Sequence, residues 1–163
     1  MAQRNDRTVR LSVLDRLIDY EPGLAADRTI TWDESVRRMK LAVLRDVEWL
    51  LNTRRIVEPA PDEYPEVQAS VYHFGIPDVS SMSADSESAR QRLMRNIEEA
   101  IETFEPRLTQ VRVLPVEGGT EQREIHFMVD AVLRLDPDPE RVIFDTVLET
   151  SSGEFRVSGS ANA

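Results

Sequence analysis

The sequence predicts an α+β fold in two layers: an antiparallel sheet of about four strands covered by two long helices, with a short N-terminal helix. Two observations support this prediction. Apolar residues recur at helical spacing in two long stretches before residue 105, and after Arg107 they alternate as they do in strands. The strand-like segments follow one another with only short turn-rich breaks, a pattern typical of antiparallel pairing. Helices of this kind bury their apolar stripe on the sheet.

Composition indicates one soluble domain. The chain has 163 residues, of which 40% are hydrophobic, and no apolar run approaches the length of a membrane span. Its charged N-terminus does not resemble a secretory signal. We therefore expect a flexible arm over residues 1–10, a single domain over 11–158 and a flexible tail over 159–163, in the cytoplasm.

The cysteine count and the net charge argue against further classes of function. The absence of cysteine excludes disulfides and thiol chemistry. The net charge of −10 argues against a nucleic-acid-binding protein, which normally carries a basic excess or a basic face.

Two amphipathic helices are predicted before residue 56. The first lies in "LSVLDRLID" and ends before the turn-forming "EPG". Its apolar face, which either packs on its own domain or docks on a partner, consists of Leu11, Leu14, Leu17 and Ile18. The second runs over roughly 33–54, capped by Thr31 or Asp33, with Arg54 and Arg55 in its last turn. Its apolar stripe consists of Val36, Met39, Val43, Val47 and Leu50.

A long connection, residues 56–90, separates this helix from the next. Its prolines forbid a continuous helix, but its aromatic and apolar residues favour packing on the protein surface over disorder. A further helix is expected at about 86–104, capped by Ser83 or Asp85. Its apolar face consists of Leu93, Ile97, Ala100, Ile101 and Phe104.

The remaining chain predicts strands at 108–116, 123–135, 141–150 and 154–157. "EGGTEQ" joins the first two as a hairpin turn. Alternation in the second strand is nearly regular, and its residues on the buried side are Ile125, Phe127, Val129, Ala131, Leu133 and Leu135. The side chains on its other side are Glu124, His126, Asp130 and Arg134.

Residues suited to catalysis or to metal binding are scarce. The two histidines are far apart and lack any zinc-ligand spacing: His126 is expected on the polar face of a strand, and His73 as a packed or hydrogen-bonded residue. Glycosidases need only two carboxylates, but among 30 acidic residues some pair always lies within reach, so abundance carries no signal. The sequence therefore predicts no catalytic residue, no metal and no cofactor, and a protein that is not an enzyme.

The tripeptide Glu105-Pro106-Arg107 lies where helical spacing gives way to strand spacing. Pro106 disfavours helical geometry at Glu105, so the helix ends near Phe104. At the start of a strand, Glu105 and Arg107 lie two residues apart and share a face. The tripeptide is therefore either a helix stop with an exposed ion pair, which contributes little to stability, or a contact for a partner.

Four stretches carry a family resemblance: "LSVLDRLID", "LRDVEWLLNTRR", "SVYHFGIPDVS" and "FEPRL". In this order they resemble the small phage baseplate wedge proteins, including the TssE subunits of type VI secretion baseplates. The resemblance covers roughly residues 11–158. It implies a structural role in a contractile injection machine, in a baseplate near the inner face of the cytoplasmic membrane.

The resemblance also implies partners. Glu105, Pro106 and Arg107 correspond to the family's Glu-Pro-Arg motif, which implies binding to the core bundle of the wedge, formed by TssF and TssG, beside TssK. The sheet is implied to pair with strands of the sheath proteins TssB and TssC. The first or the last strand is the edge open to such pairing. Family members are also labelled lysozyme-like, which leaves peptidoglycan hydrolysis as the alternative. A regulatory adaptor is a third class, because an anti-adaptor of stress-factor proteolysis is similar in fold.

Overall fold

The computed structural model describes residues 8–18, 22–23, 30–58, 60–61, 63–79, 86–116 and 124–159. The "EGGTEQ" turn, the caps Ser83 and Asp85, and most of the predicted arm and tail lie outside the described residues. Packing divides the chain into two compact units, residues 1–43 and 44–163, and the boundary falls within a helix.

The first unit contains the short helix α1 (Val13–Leu17) and the start of the long helix α2 (Trp32–Asn52). The predicted cap Thr31 is confirmed, because its Oγ1 accepts a hydrogen bond from the Glu34 N–H at 3.3 Å. Before α1, the Val9 N–H donates to the Ser35 hydroxyl of α2 at 3.1 Å.

The C-terminal end of α2 differs from the prediction. The helix ends at Asn52, so Arg54 and Arg55 lie beyond its last turn, which contains no basic residue. Tertiary hydrogen bonds explain the early end. The Arg55 N–H donates to the Ile76 carbonyl at 2.8 Å, and the Ile76 N–H donates to the Thr53 carbonyl at 3.0 Å. These bonds hold the chain in an isolated parallel bridge between Arg54 and Ile76 instead of a further helical turn.

The second unit contains an antiparallel sheet in the order β1-β2-β3-β4 and two further helices. The strands are β1 (Leu108–Pro115), β2 (Glu124–Leu133), β3 (Glu140–Glu149) and β4 (Glu154–Gly159). The helices are α3 (Pro65–Gln68) and α4 (Glu87–Phe104), and the Ser86 hydroxyl caps α4. The predicted α+β class and antiparallel strand order are confirmed.

In the second unit, the buried residues come mainly from the apolar side of the sheet, from α4 and from the part of α2 after Val43. Phe127 and Phe155 are almost fully buried and meet edge-to-face, with ring centroids 6.0 Å apart. On α4, the residues predicted for the apolar face are buried except Phe104, which lies half-buried against Phe74. Among the described residues, no helix is long and apolar enough to cross a membrane.

The connection between α2 and α4 is anchored to the second unit, as expected. Ile76 is fully buried, and the His73 Nε2 accepts a hydrogen bond from the Ala60 N–H at 3.1 Å. The prediction of a packed or hydrogen-bonded His73 is therefore confirmed. His126 lies on the outer side of the sheet, 3.2 Å from a Glu124 carboxylate oxygen.

Candidate interaction site at the helix–strand corner

Pro106 ends α4 in the predicted way. Glu105 has left helical geometry, with φ −118° and ψ 79°, although its N–H still donates to the Ile101 carbonyl at 2.9 Å. The Glu105 carbonyl then accepts from the Leu108 N–H at 3.0 Å, which closes the turn into β1. The tripeptide therefore forms a tight corner between a helix and an edge strand.

The two charged side chains of the corner bind each other. Glu105 Oε1 accepts from the Arg107 Nε at 2.6 Å and from the Arg107 backbone N–H at 3.2 Å. The second carboxylate oxygen accepts from Arg107 Nη2. This is the bidentate geometry in which a guanidinium and a carboxylate interact most strongly. Glu105 is only 4% exposed, so it is a buried charge and the exposed-ion-pair interpretation of the corner is wrong.

A third residue, Asp46 of α2, completes the site. Arg107 Nη2 donates to Asp46 Oδ2 at 2.6 Å, and Arg45 donates to Asp46 Oδ1 from Nε at 2.9 Å and from Nη2 at 2.7 Å. The Arg45 guanidinium lies over the Trp49 ring, 5.0 Å from its centroid. Four charges thus connect the side of α2 to the α4–β1 corner. We call Arg45, Asp46, Glu105 and Arg107 the corner network.

The corner network keeps Arg107 charged. Burial lowers the pKa of this guanidinium, but the hydrogen bonds that it donates to Glu105 and Asp46 outweigh that effect and raise the pKa above its ordinary value. Arg107 Nη1 is buried and has no hydrogen-bond partner among the described residues. The side chain of Arg107 is 22% exposed and that of Asp46 is 27% exposed, while Pro106 is exposed.

The accessible part of the corner therefore differs from the predicted one. Pro106 and parts of the Arg107 and Asp46 side chains reach the surface, whereas Glu105 is buried and binds the Arg107 guanidinium. Sequence reasoning missed Arg45 and Asp46. The available signal was weak: both lie off the apolar stripe of α2, where charged residues are ordinary. Trp49, which is 54% exposed, is an unusual residue on that side of α2, as is Leu41, which is 60% exposed.

The two edges of the sheet differ in accessibility. On β4, the Phe155 N–H donates to the Asn52 side-chain oxygen at 2.9 Å, and the Phe155 carbonyl accepts from the Asn52 amide at 2.8 Å. The Val157 N–H donates to Glu48 at 3.2 Å. Side chains of α2 thus already occupy backbone groups that an added strand would need.

Strand β1 presents the other edge. The Val116 N–H donates to the His126 carbonyl of β2, so the backbone groups of Val116 point toward β2. The backbone N–H and C=O groups of successive residues in a strand point to alternate sides, so those of Val113, three residues earlier, point away from β2. A bulge near Gln110, whose φ is +54°, and Pro115 shorten the stretch suited to pairing. No hydrogen bond from outside the sheet reaches Val113 among the described residues.

The described residues contain no group of three or more histidine, aspartate or glutamate side chains that could hold a metal ion. The corner lies beside β1, the edge of the sheet at which, among the described residues, no side chain of α2 is bound. The chain matches the family model of the baseplate wedge protein gp25 over residues 37–138, more than half of its length. It belongs to this family of phage baseplate wedge components. A comparison with curated proteins finds no match.

The matched range runs from α2 to just beyond β2 and includes the whole corner network. Strands β3 and β4 lie outside it. The resemblance inferred from the sequence motifs is thereby confirmed at the level of the family. Membership in this structural family favours a non-enzymatic role in a baseplate.

Proposed function

We propose that the protein is a TssE-type subunit of a type VI secretion baseplate, located in the cytoplasm near the inner membrane. The observation that carries this proposal is the family match, which spans the Glu-Pro-Arg corner. The stretches near α1, at the end of α2 and before α4 resemble TssE, which favours the type VI branch of the family. The role is structural: the subunit connects the wedge to the base of the sheath.

The corner is the proposed contact with the wedge core bundle of TssF and TssG, next to TssK. Pro106 and Arg107 form the contact itself, because they are the members of the motif that reach the surface. Glu105 is a positioning residue, since its buried carboxylate fixes the Arg107 guanidinium from two sides. A preorganised guanidinium loses less side-chain freedom on binding, which increases affinity.

Co-expression with TssF and TssG tests the corner. The Arg107→Lys variant keeps the charge but removes the fork that pairs with two oxygens, so we expect binding to weaken at least tenfold in a variant that still folds. The Glu105→Ala/Arg107→Ala variant should lose the complex. Arg38→Ala, at an exposed Arg38–Glu34 pair 3.0 Å apart in α2, is the matched control. Intact binding by folded corner variants would exclude the corner as the contact.

The edge of β1 is the proposed site of pairing with a strand of the sheath proteins TssB and TssC. It is preferred over β4 because Asn52 and Glu48 already form hydrogen bonds with the backbone groups of Phe155 and Val157 in β4. An added strand at β1 instead meets the unoccupied N–H and C=O of Val113. Main-chain hydrogen bonds of this kind supply the affinity in strand addition.

Two variants distinguish the edges. Val113→Pro removes a donor that faces away from β2, so we expect it to abolish binding to TssB and TssC while the sheet persists. Asn52→Ala frees the β4 edge and should leave sheath binding unchanged. The opposite pair of results, binding retained by Val113→Pro and strengthened by Asn52→Ala, would assign the contact to β4. Hydrogen exchange of the Val113 amide gives an independent readout.

A non-enzymatic role predicts that the purified protein releases no fragments from peptidoglycan. Release that is lost on neutralising one particular carboxylate would overturn this part of the proposal.

A further inference from the structure

Arg112 lies in the middle of the open edge of the sheet and is the only charged residue of β1. It is exposed on the outer face, where its cross-strand neighbour is Asp130 of β2. The Asp130 carboxylate is already bound by Arg141 of β3, which donates from Nε at 2.8 Å and from Nη2 at 2.6 Å. Arg112 itself forms no salt bridge with the described residues. The edge of β1 therefore carries a positive charge that no carboxylate pairs.

The geometry of β1 brings this side chain close to an added strand. The backbone groups of Arg112 point toward β2, as those of Val116 do, whereas those of Val113 point away from the sheet. Arg112 would therefore face the added strand in a pair without mutual hydrogen bonds. In such pairs the opposite Cα atoms are only about 4.5 Å apart and the side chains lie closest together. A carboxylate at the opposite position is thus within reach of the guanidinium.

Further along the same face, the edge is apolar. Leu114 is 39% exposed and Val116 is 45% exposed, and both share the outer side with Arg112 because they follow it at intervals of two residues. On β2, Leu114 lies opposite Met128, which is half-buried. Apolar pairs across neighbouring strands stabilise a sheet. An added strand should therefore place apolar residues beside Leu114 and Val116.

A second copy of this chain does not supply the complement of Arg112. Strand β1 contains no acidic residue, so two β1 edges in contact bring no carboxylate to the guanidinium. The other edge strand, β4, is bound by side chains of α2 at Phe155 and Val157. The whole chain has a net charge of −10, so an acidic segment is attracted by Arg112 and not by the protein as a whole.

We propose that Arg112 selects the added strand and fixes its register. The partner strand carries an aspartate or glutamate opposite Arg112 and, two positions along, an apolar residue opposite Leu114. A shift of the strand by two residues would move its carboxylate beside Leu114 or beside the bulge at Gln110, so the charge pair favours one register. This inference rests on the proposed pairing of β1 with the sheath proteins TssB and TssC, and it adds the sequence pattern of the paired strand.

Variants of Arg112 test the inference, with co-expressed TssB and TssC as the probe. Arg112→Gln should weaken binding about two- to fivefold, the range expected for the loss of one cross-strand charge pair. Arg112→Glu replaces attraction by repulsion and should weaken binding about tenfold. The matched control is Arg156→Gln, an exposed arginine on the outer face of β4, which should bind like the wild type. Because both arginines are exposed, the melting temperatures should stay close to that of the wild type.

A charge exchange with the partner gives a readout that a purely structural role of residue 112 would not produce. A photo-crosslinker at position 114 identifies the paired strand, in which we expect an acidic residue two positions from the apolar one. Replacing that acidic residue by lysine should weaken binding to the wild type and restore binding to Arg112→Glu. Rising salt concentration should weaken the binding of the wild type more than that of Arg112→Gln.

The outcomes separate this inference from the proposed function. If the wild type fails to bind TssB and TssC, or if Val113→Pro binds as tightly as the wild type, the pairing at β1 is wrong and the inference is wrong with it. If Val113→Pro abolishes binding while Arg112→Glu binds like the wild type, the pairing stands and the role of Arg112 is wrong. Equal weakening by Arg112→Gln and Arg156→Gln would assign the effect to overall charge and overturn the selection by Arg112. A wild-type dimer that Val113→Pro dissociates, seen by sedimentation, would assign the edge to a second copy and overturn it as well.

Discussion

Replacing Arg107 by alanine tests whether the corner network stabilises the fold. Of the three hydrogen bonds that the Glu105 carboxylate, 4% exposed, accepts from Arg107, two come from the guanidinium. The backbone N–H of residue 107 persists, but both guanidinium bonds are lost. Removing one partner of a buried pair costs about 3–5 kcal/mol. The Arg107 side chain is 22% exposed, so water partly replaces it, and we expect a loss of about 3 kcal/mol in the free energy of unfolding.

The reverse change should cost less. In Glu105→Ala, Arg107 keeps its 2.6 Å bond to Asp46 and its partial exposure to water, so about 1–2 kcal/mol is expected. The Glu105→Ala/Arg107→Ala variant leaves no buried carboxylate behind. It should therefore cost at least about 1.5 kcal/mol less than the sum of the two single changes.

Urea unfolding at pH 7 and 25 °C, followed by circular dichroism, measures these free energies, and thermal melting provides a second estimate. For a chain of this size, the Arg107→Ala loss corresponds to a decrease of about 6–12 °C in melting temperature. Arg38→Ala, at the exposed pair in α2, should cost no more than about 0.5 kcal/mol. Two results would refute the reasoning that burial makes the corner network stabilising. One is a double variant whose cost equals the sum of the two single costs; the other is a loss in Arg107→Ala no larger than the loss in Arg38→Ala.

Three further changes probe the fold around the site. Gly75→Ala should destabilise the protein by about 1–3 kcal/mol, since φ is +106° there and an added Cβ collides with the Thr53 carbonyl; urea unfolding measures the loss. A hydrogen bond from Arg141 lowers the pKa of Asp130, so their contribution to stability is present above about pH 4 and is lost as the pH falls through the lowered value. In Asp130→Asn, the free energy of unfolding should therefore fall less steeply as the pH is lowered into the acid range. Asn52→Ala should cost about 1–2 kcal/mol by removing both bonds to β4, and hydrogen exchange should show a less protected strand.

Each change has a matched control. Gly23→Ala should be close to neutral, because no atom lies within 4 Å of the added Cβ. Ser158→Ala, at an exposed position of β4, changes no ionisable group and should leave the pH dependence of stability as it is in the wild type. Asn52→Asp keeps the acceptor for β4 and should lose less than Asn52→Ala. Equal effects of a variant and its control would contradict the assigned contact.

Much of the fold followed from local pattern. The alternation in β2 and the stripes of α2 and α4 predicted elements whose bounds lie within about two residues of those observed. The end of α2 was misplaced because the bridge between Arg54 and Ile76 depends on residues distant in sequence. The domain boundaries proposed from composition stay a prediction.

The site was predicted only in part. The sequence predicts the corner at Pro106 because a proline restricts the backbone conformation of the residue directly before it. The burial of the Glu105 carboxylate is a tertiary property, and Asp46, which binds Arg107, lies 61 residues from it along the chain. The same limit applies to the sheet edges, since Asn52 reaches Phe155 across 103 residues. A pattern of neighbouring residues does not predict contacts between residues so far apart in the chain.

The sequence alone thus determined the α+β class, the antiparallel sheet, the helix stop at Pro106 and the family, because backbone preferences and hydrophobic periodicity act over a few residues. The tertiary structure alone decided that Glu105 is buried, that Asp46 joins the corner, that β4 is occupied while β1 is open, and that the apolar side chains of α1 are exposed. These properties depend on which distant side chains meet, and burial and charge pairing exist only after they have met.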